Sequence, residues 1–333
     1  MPAPLSAAPI ARGRLTQLLE QMRGKRVAVI GDVMLDRYLL GDTERISPEA
    51  PVPVVSVTER RLALGGAANV AANVTAIGGE AALVGVTGSD RDGEALRGAM
   101  AAAKLDSRWL LALHDRPTTS KTRVVARGQQ VVRIDEEEDS VLQGDALARL
   151  AALAAEAIGW ADVVVFEDYN KGVLAPALIH DAMAAAVRRK LPSVVDPKFS
   201  SFFEYAGATL FKPNRRELSS AIPGIDLGSA GDLQEAVMRL GVEHLLLTLG
   251  AGGMVLVTRG ESRPHLIESL ARTVFDVSGA GDTVTAWAGT ALAAGATAIE
   301  AAEIANIAAS VEVTKPGVAT VSPAEVLAAH SSR

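Results

Sequence analysis

The stretch Asp276-Val277-Ser278-Gly279-Ala280-Gly281-Asp282-Thr283 sets two glycines just before a run of small residues that suits a helix starting near Asp282. Glycines let a backbone approach a ligand closely, and the first amides of a helix have no partner inside it. Those amides and the helix dipole favour an anion, most often a phosphate. In such a site Asp282 reads as a general base. The amides around Gly279, Ala280 and Gly281 would then stabilise charge on a transferred phosphoryl group. An Asp at this position also suits a helix cap, and the residues alone leave both readings open.

Four further stretches have the composition of a site. In Leu64-Gly65-Gly66-Ala67-Ala68-Asn69, two glycines clear space beside the backbone and Asn69 offers a donor and acceptors, although a tight turn before a helix predicts the same residues. Asp196-Pro197-Lys198 ends a short apolar run, where Lys198 is either a point charge for a nucleotide phosphate or an exposed loop lysine. Asn214 and Glu217 are three apart and share a helix face, a spacing that serves a capping box and equally Mg2+ held by Glu217 through water. Thr248-Leu249-Gly250-Ala251-Gly252-Gly253 lacks the strand–GxGxxG–helix setting of a dinucleotide site and reads as hairpin glycines; no GxxxxGK[ST] loop occurs in the chain. No two of the five histidines are spaced as a metal pair, and Asp135-Glu136-Glu137-Glu138-Asp139 reads as a solvated turn.

These residues need a frame. Apolar runs at 25–32, 81–86, 162–167, 193–196 and 209–212 alternate with helical patterns at 66–77, 92–103, 145–158 and 176–190. A strand pair at 244–249 and 254–258 follows, then helices near 280–294 and 299–313. Repeated βα units predict an α/β domain with a mainly parallel sheet covered on both faces. Asp32 would sit at a strand's C-terminal end, the edge where open α/β sheets bind ligands. Two β-rich segments interrupt the rhythm, at about 37–64 and 115–135, and predict a small sheet acting as a lid; two unrelated surface loops are the plainer alternative. A helix is expected over 15–22, after a loose arm at 1–14.

Composition narrows the function. The chain has 333 residues, 49% of them hydrophobic, and a formal net charge of −6. This argues against nucleic acid as a partner, because no basic stripe is present to neutralise phosphates. Cysteine is absent, which excludes disulfides and thiolate metal sites and is compatible with a reducing compartment. Residues 1–14 lack the apolar core of a secretory signal, and the longest uncharged run, Thr283–Ile299, is too short and small-sided for a membrane span. A cytoplasmic protein without membrane or nucleic-acid partners is expected.

Taken in order along the chain, Gly65-Gly66-Ala67-Ala68-Asn69 and Asp276 to Thr283 resemble the two signatures of the ribokinase-like (PfkB) sugar kinases. Asn214-Arg215-Arg216-Glu217 resembles that family's N-x-x-E element. The resemblance covers residues 25–320, with Val277 standing where many members carry Thr. Gly31 to Tyr38, Arg45 to Val54, Glu167 to Gly172 and Val195 to Lys198 are similar to the heptose 7-phosphate kinases within that family. Many of those are fused to an adenylyltransferase; this chain resembles the stand-alone form, a single kinase domain over 1–330.

The resemblance implies a ribokinase-like three-layer α/β/α fold and transfer of the ATP γ-phosphate to the anomeric C1 hydroxyl of D-glycero-β-D-manno-heptose 7-phosphate. The product would be the 1,7-bisphosphate, on the way to ADP-heptose and the lipopolysaccharide core. Asp282 would be the base. Lys198, Asn214 and Glu217 would orient ATP and Mg2+, with Thr248, Gly250, Gly253 and Asn306 bordering the adenine and ribose. Asp32, Asp36, Gly65, Gly66, Asn69 and Asn170 would hold sugar hydroxyls. Lys121, Arg123 and Arg133 would meet the distal phosphate, as would Arg45, from the same chain or a neighbouring subunit. Open strand edges on the lid predict a homodimer with paired lids. The rival expectations are a ribokinase-like kinase of another sugar or nucleoside, and a non-catalytic sensor on the same fold.

Overall fold

Apolar runs such as Val27-Ala28-Val29-Ile30 are buried throughout, as strands lying between two helical layers must be. The computed structural model describes residues 5–6 and 9–331. Ten strands form one sheet: β1 (Leu5–Ser6), β2 (Arg26–Gly31), β5 (Glu80–Gly88), β6 (Leu110–Leu113), β9 (Val163–Glu167), β10 (Ser193–Asp196), β11 (Leu210–Phe211), β12 (His244–Thr248), β13 (Met254–Thr258) and β14 (His265–Ile267). Their spatial order is β1-β14-β13-β12-β11-β10-β9-β2-β5-β6. Neighbours are parallel except where β13 runs against β12 and β14.

Because strand side chains alternate, each strand feeds two cores. Val27, Val29, Leu83, Val163, Val165 and Val194 pack with α1 (Arg12–Met22), α2 (Ala67–Ile77), α3 (Arg91–Ala102), α8 (Ala280–Ala293), α9 (Ala298–Glu312) and α10 (Pro323–Ser331). Ala28, Ile30, Val84, Val164, Phe166 and Val195 pack with α4 (Gly144–Trp160), α5 (Pro176–Arg189), α6 (Arg215–Ala221) and α7 (Ala230–Leu240). The result is the expected three-layer α/β/α arrangement.

The two β-rich interruptions do join into one sheet. β3 (Val33–Ile46), β4 (Pro53–Gly66), β7 (Ser120–Ala126) and β8 (Gln129–Glu136) lie in the order β4-β3-β7-β8, with β3 parallel to β7. The sheet is rooted in the core through Val33, Met34 and Leu35, while its far end exposes Ile46, Leu62, Val132 and Ile134. The loose arm expected at 1–14 is shorter than that. Arg12 to Arg14 already belong to α1, and Leu5 and Ser6 pair with His265 and Leu266; residues 1–4 and 7–8 lie outside the described residues. The short strands β6 and β14 went unforeseen because three or four residues show too little alternation to stand out from a loop.

One close approach fixes the centre of the sheet. Gly31 faces Glu167 across β2 and β9, and a Cβ on Gly31 would lie 2.0 Å from the Glu167 carbonyl oxygen. Gly31→Ala must therefore spread the pair of strands that deliver Asp32 and Glu167. Thermal or denaturant unfolding should show a loss of about 1–3 kcal/mol or more. Wild-type stability in the variant would mean that the pair can part freely.

Candidate active site

The N-terminus of α8 is built as the glycines suggested. Gly279 is its N-cap, at φ 93°, in the left-handed region. A Cβ there would stand 2.9 Å from Asn69 Nδ2, so both backbone conformation and space call for glycine. No side chain caps α8, and Gly279, Ala280 and Gly281 line a cavity of about 970 Å³. Asp282 does not act as a cap. It lies in the first turn and turns its carboxylate away from the helix: Oδ2 accepts from Asn69 Nδ2 at 2.7 Å and Oδ1 from the Tyr169 hydroxyl at 2.7 Å. Burial raises its pKa to about 6, against the two hydrogen bonds, which pull it down.

Below Asp282, the ends of neighbouring strands bring charges together. β9 ends on Glu167, β10 on Asp196, and Lys212 follows β11. Carboxylate oxygens of Glu167, Asp196 and Asp282 lie within 4.8 Å of one another. Lys212 Nζ donates to Asp196 Oδ2 at 2.8 Å, with both groups buried. Burial would raise the pKa of Asp196, but Lys212 and Lys198 outweigh it and keep the carboxylate ionised. Burial, then Asp196 and Asp282, pushes the Glu167 pKa well up, and the proton it holds serves a hydrogen bond to Asp196. Buried this deeply, Glu167 needs a proton or a cation. The cluster therefore has the hard oxygen donors of a divalent ion site.

Lys198 reaches the same cluster from the cavity side. Its Nζ lies 2.5 Å from Glu217 Oε1 and 3.9 Å from Asp196 Oδ1. Asn214 and Glu217 do form the capping box, with Asn214 Oδ1 accepting from the Glu217 amide and Glu217 Oε2 accepting from the Asn214 amide. Both Glu217 oxygens are thus engaged, one by the cap and one by Lys198. Glu167 and Asp196 fit a metal better than Glu217 does. Thr248, Gly250, Gly253 and Asn306 line the cavity beyond Lys198, and Asn306 Nδ2 donates to the Glu268 carbonyl at 2.8 Å.

Residues expected around the sugar fall on the other side of Asp282. Gly65 and Gly66 end β4, and a Cβ on Gly65 would strike the Asp36 carboxylate. Asp36 is paired with Arg123. Asp32 corrects the expectation of an open hydroxyl acceptor: it is 1% exposed and accepts from the amides of Tyr169, Lys171 and Val173, so it holds their loop in place. Asn170, in that loop at φ 55°, accepts from the Ser200 amide. Lys121 pairs with Glu137 and Asp135, Lys171 with Glu137, and Arg133 with Asp135. Arg45 is exposed near the lid's tip. The run 135–139 is consequently more than a solvated turn, since Asp135 and Glu137 hold lid and loop cations in partly buried ion pairs.

Sequence reasoning assigned no role to Glu167, Asp196, Lys212 or Tyr169. The signal was the one used for Asp32, a charged residue at the C-terminal end of an apolar strand. It also missed Glu312, at the end of α9, which is buried with both oxygens unpartnered near Gly279. Burial, then Asp276 and Asp282, raises the Glu312 pKa to about 8, from 4.5. The folded state therefore binds a proton that the unfolded chain releases. This contribution to stability is full below pH 4.5 and lost as pH rises through about 8. Glu312→Gln, which stays neutral, should raise the melting temperature at pH 9 by about 2 °C or more and change it little at pH 4.5. A shift of equal size at both pH values would show that Glu312 is not carrying that proton.

A profile described as pfkB family carbohydrate kinase matches residues 25–325. The bifunctional protein HldE of Caulobacter vibrioides is 45% identical over 322 residues, which is 96% of this chain and 66% of that protein. HldE of Pelobacter propionicus is 43% identical over 320 residues, covering 95% and 65%. The chain thus spans about two thirds of the length of these curated relatives. Among solved structures, Arabidopsis thaliana ribokinase complexed with ribose and ATP superposes with a TM-score of 0.72 at 22% identity, covering 92% of this chain and 99% of that one. Escherichia coli phosphofructokinase-2 in complex with fructose-6-phosphate gives 0.73 at 18%, covering 93% and 100%. At such identities the likeness shows the fold, which is ribokinase-like.

Proposed function

The chain belongs to the pfkB family of carbohydrate kinases, and from that premise we propose that it phosphorylates the anomeric C1 hydroxyl of D-glycero-β-D-manno-heptose 7-phosphate with ATP. The observation that carries the reading is the position of Asp282. It stands at the start of a glycine-led helix, between the nucleotide-sized cavity and the glycine turn at the foot of the lid, and a pKa of about 6 leaves it mostly ionised at neutral pH. The choice of sugar is supported by the extent of the similarity to HldE and by the cations gathered on the lid and its neighbouring loop.

In this reading the heptose lies between the lid and Asp282, with Gly65, Gly66, Asn69 and Asn170 around its hydroxyls. The C1 oxygen attacks the γ-phosphorus as its proton passes to Asp282. The bond from that phosphorus to the β-phosphate oxygen breaks, and ADP leaves with the electron pair. Amides around Gly279, Ala280 and Gly281 stabilise the charge on the phosphoryl oxygens. Lys198 moves from Glu217 to the triphosphate, and Thr248, Gly250, Gly253 and Asn306 border the nucleoside. Glu167 and Asp196, beside Asp282, are the residues that would hold Mg2+, which when bound neutralises phosphate charge. Lys121, Arg123 and Arg133 exchange their present carboxylate partners for the distal phosphate.

We further assign a homodimer through the lid, because the outer strands β4 and β8 leave edges unpaired and Ile46, Leu62, Val132 and Ile134 are exposed there. Reaction and substrates are those of the cytoplasm, the location we assign. Among the described residues no helix is long and apolar enough to cross a membrane. The kinase step alone is assigned to these residues.

ADP release with Mg·ATP should be confined to the heptose phosphate in a panel containing fructose 6-phosphate, fructose, ribose and adenosine. Asp282→Asn should lower turnover about 10²–10⁴-fold while keeping nucleotide binding. Turnover on another sugar would retire the heptose assignment and leave the base in place. Near-wild-type turnover by the variant would retire Asp282 as the base. Light scattering should give the mass of two chains, and Ile134→Glu with Val132→Glu should reduce it to one. A wild-type monomer at working concentration would end the paired-lid proposal.

A further inference from the structure

The reaction as described leaves Tyr169 without a task, although it is one of two residues that touch the base. Its hydroxyl donates to Asp282 Oδ1 at 2.7 Å, and Asn69 Nδ2 donates to Oδ2 at 2.7 Å. The two donors differ in freedom. Asn69 is 1% exposed on α2, its amide oxygen accepts from Asn73 Nδ2 at 3.1 Å, and it lies away from the cavity wall. Tyr169 is half-buried, lines the cavity, and carries the Lys198 ammonium 4.9 Å from its ring centroid. Its main chain is pinned by the bonds from the amides of Tyr169 and Lys171 to Asp32, and its side chain is held by the Asp282 and Lys198 contacts. Oδ1 of Asp282 is therefore covered by a phenol that lines the cavity.

That oxygen is where an acceptor hydroxyl must place its proton. Water is the competing acceptor in any ATP-dependent transfer. Its oxygen would bond to the γ-phosphorus, its proton would pass to Asp282, and ADP would leave with the electron pair, giving ADP and inorganic phosphate. In that contact the phenol hydroxyl is the donor and the Asp282 carboxylate the acceptor. A sugar phosphate brings binding energy from remote contacts to displace it, whereas water brings none.

We propose that Tyr169 determines acceptor specificity: its hydroxyl covers Asp282 until the sugar hydroxyl takes its place, and so keeps the base from activating water. The proposal rests on the kinase reading above. Hydrogen bonds to a charged group are strong enough for their loss to change an equilibrium by about tenfold or more.

The test compares ADP release without sugar and with sugar in the wild type, in Tyr169→Phe, and in Tyr169→Phe combined with Asp282→Asn. Nucleotide binding is followed by calorimetry in each. Tyr169→Phe should bind nucleotide and raise the ratio of sugar-independent to sugar-dependent ADP release about tenfold or more. The added hydrolysis should vanish in the double variant. A merely structural role would lower both rates and leave the ratio alone, and that result would overturn the proposal. So would added hydrolysis that survives the loss of Asp282. If the wild type bound nucleotide yet transferred phosphate to no sugar, the kinase reading would fall and take this inference with it. That failure would appear in the unaltered protein and is thus told apart from the others.

Discussion

The arrangement depends on like charges forced together at the buried end of a parallel sheet. Glu167, Asp196 and Asp282 share one small volume, almost wholly buried, where little water screens them. The arrangement holds because Lys212 lies buried among them and Lys198 closes the cavity side. Of the two, Lys212 is the one that cannot leave. Lys212 is tied to Asp196, and removing it would strand that carboxylate in low dielectric, a far greater loss than the pair itself is worth. Glu167 settles the remaining imbalance by holding a proton, or by giving it up to a cation. Under the proposed function, a polyanion with its metal completes this balance of charge.

The helical side of the site follows from the same frame. The N-terminus of α8 meets the strand ends where the Asp282 carboxylate can face the acids. It can do so only because Gly279 turns left-handed and lacks a side chain beside Asn69. The loop after β9 is threaded through Asp32, whose three accepted amides give the backbone of residues 169–173 a fixed course. Rigid main chain with one movable phenol is a useful combination. The parts that must keep their distances are held by the sheet, and the part that must yield is a side chain.

Much of this was legible from residue order alone. The glycine-led helix start, the βα rhythm and the two lid segments all have local signatures, and each corresponds to an observed element. Asp282 was legible as an acid in an anion site, but its release from a capping role was not, because that depends on Asn69 and Tyr169 arriving from distant segments. The acid cluster was hidden for a related reason. β9 and β10 become neighbours through the crossover helix α5 and β10 and β11 through a loop, and nothing within Glu167, Asp196 or Lys212 announces which strands will adjoin. Asn214 and Glu217 show the opposite limit. Their spacing supported a cap and a ligand role alike, and the capping box engages Glu217 Oε2 while Lys198 engages Oε1.

The lid has a consequence for how the molecule assembles. β3 leaves the core directly after β2, yet its parallel partner β7 comes only after α2, β5, α3 and β6 have intervened. Pairings between segments so far apart must close a long loop before any contact rewards it, which makes them slow. The first half of this sheet, the β3–β4 hairpin, closes between neighbouring segments, whereas β7 and β8 must return to it after β6. The sheet therefore gains its two halves as separate events, joined along the β3–β7 pairing.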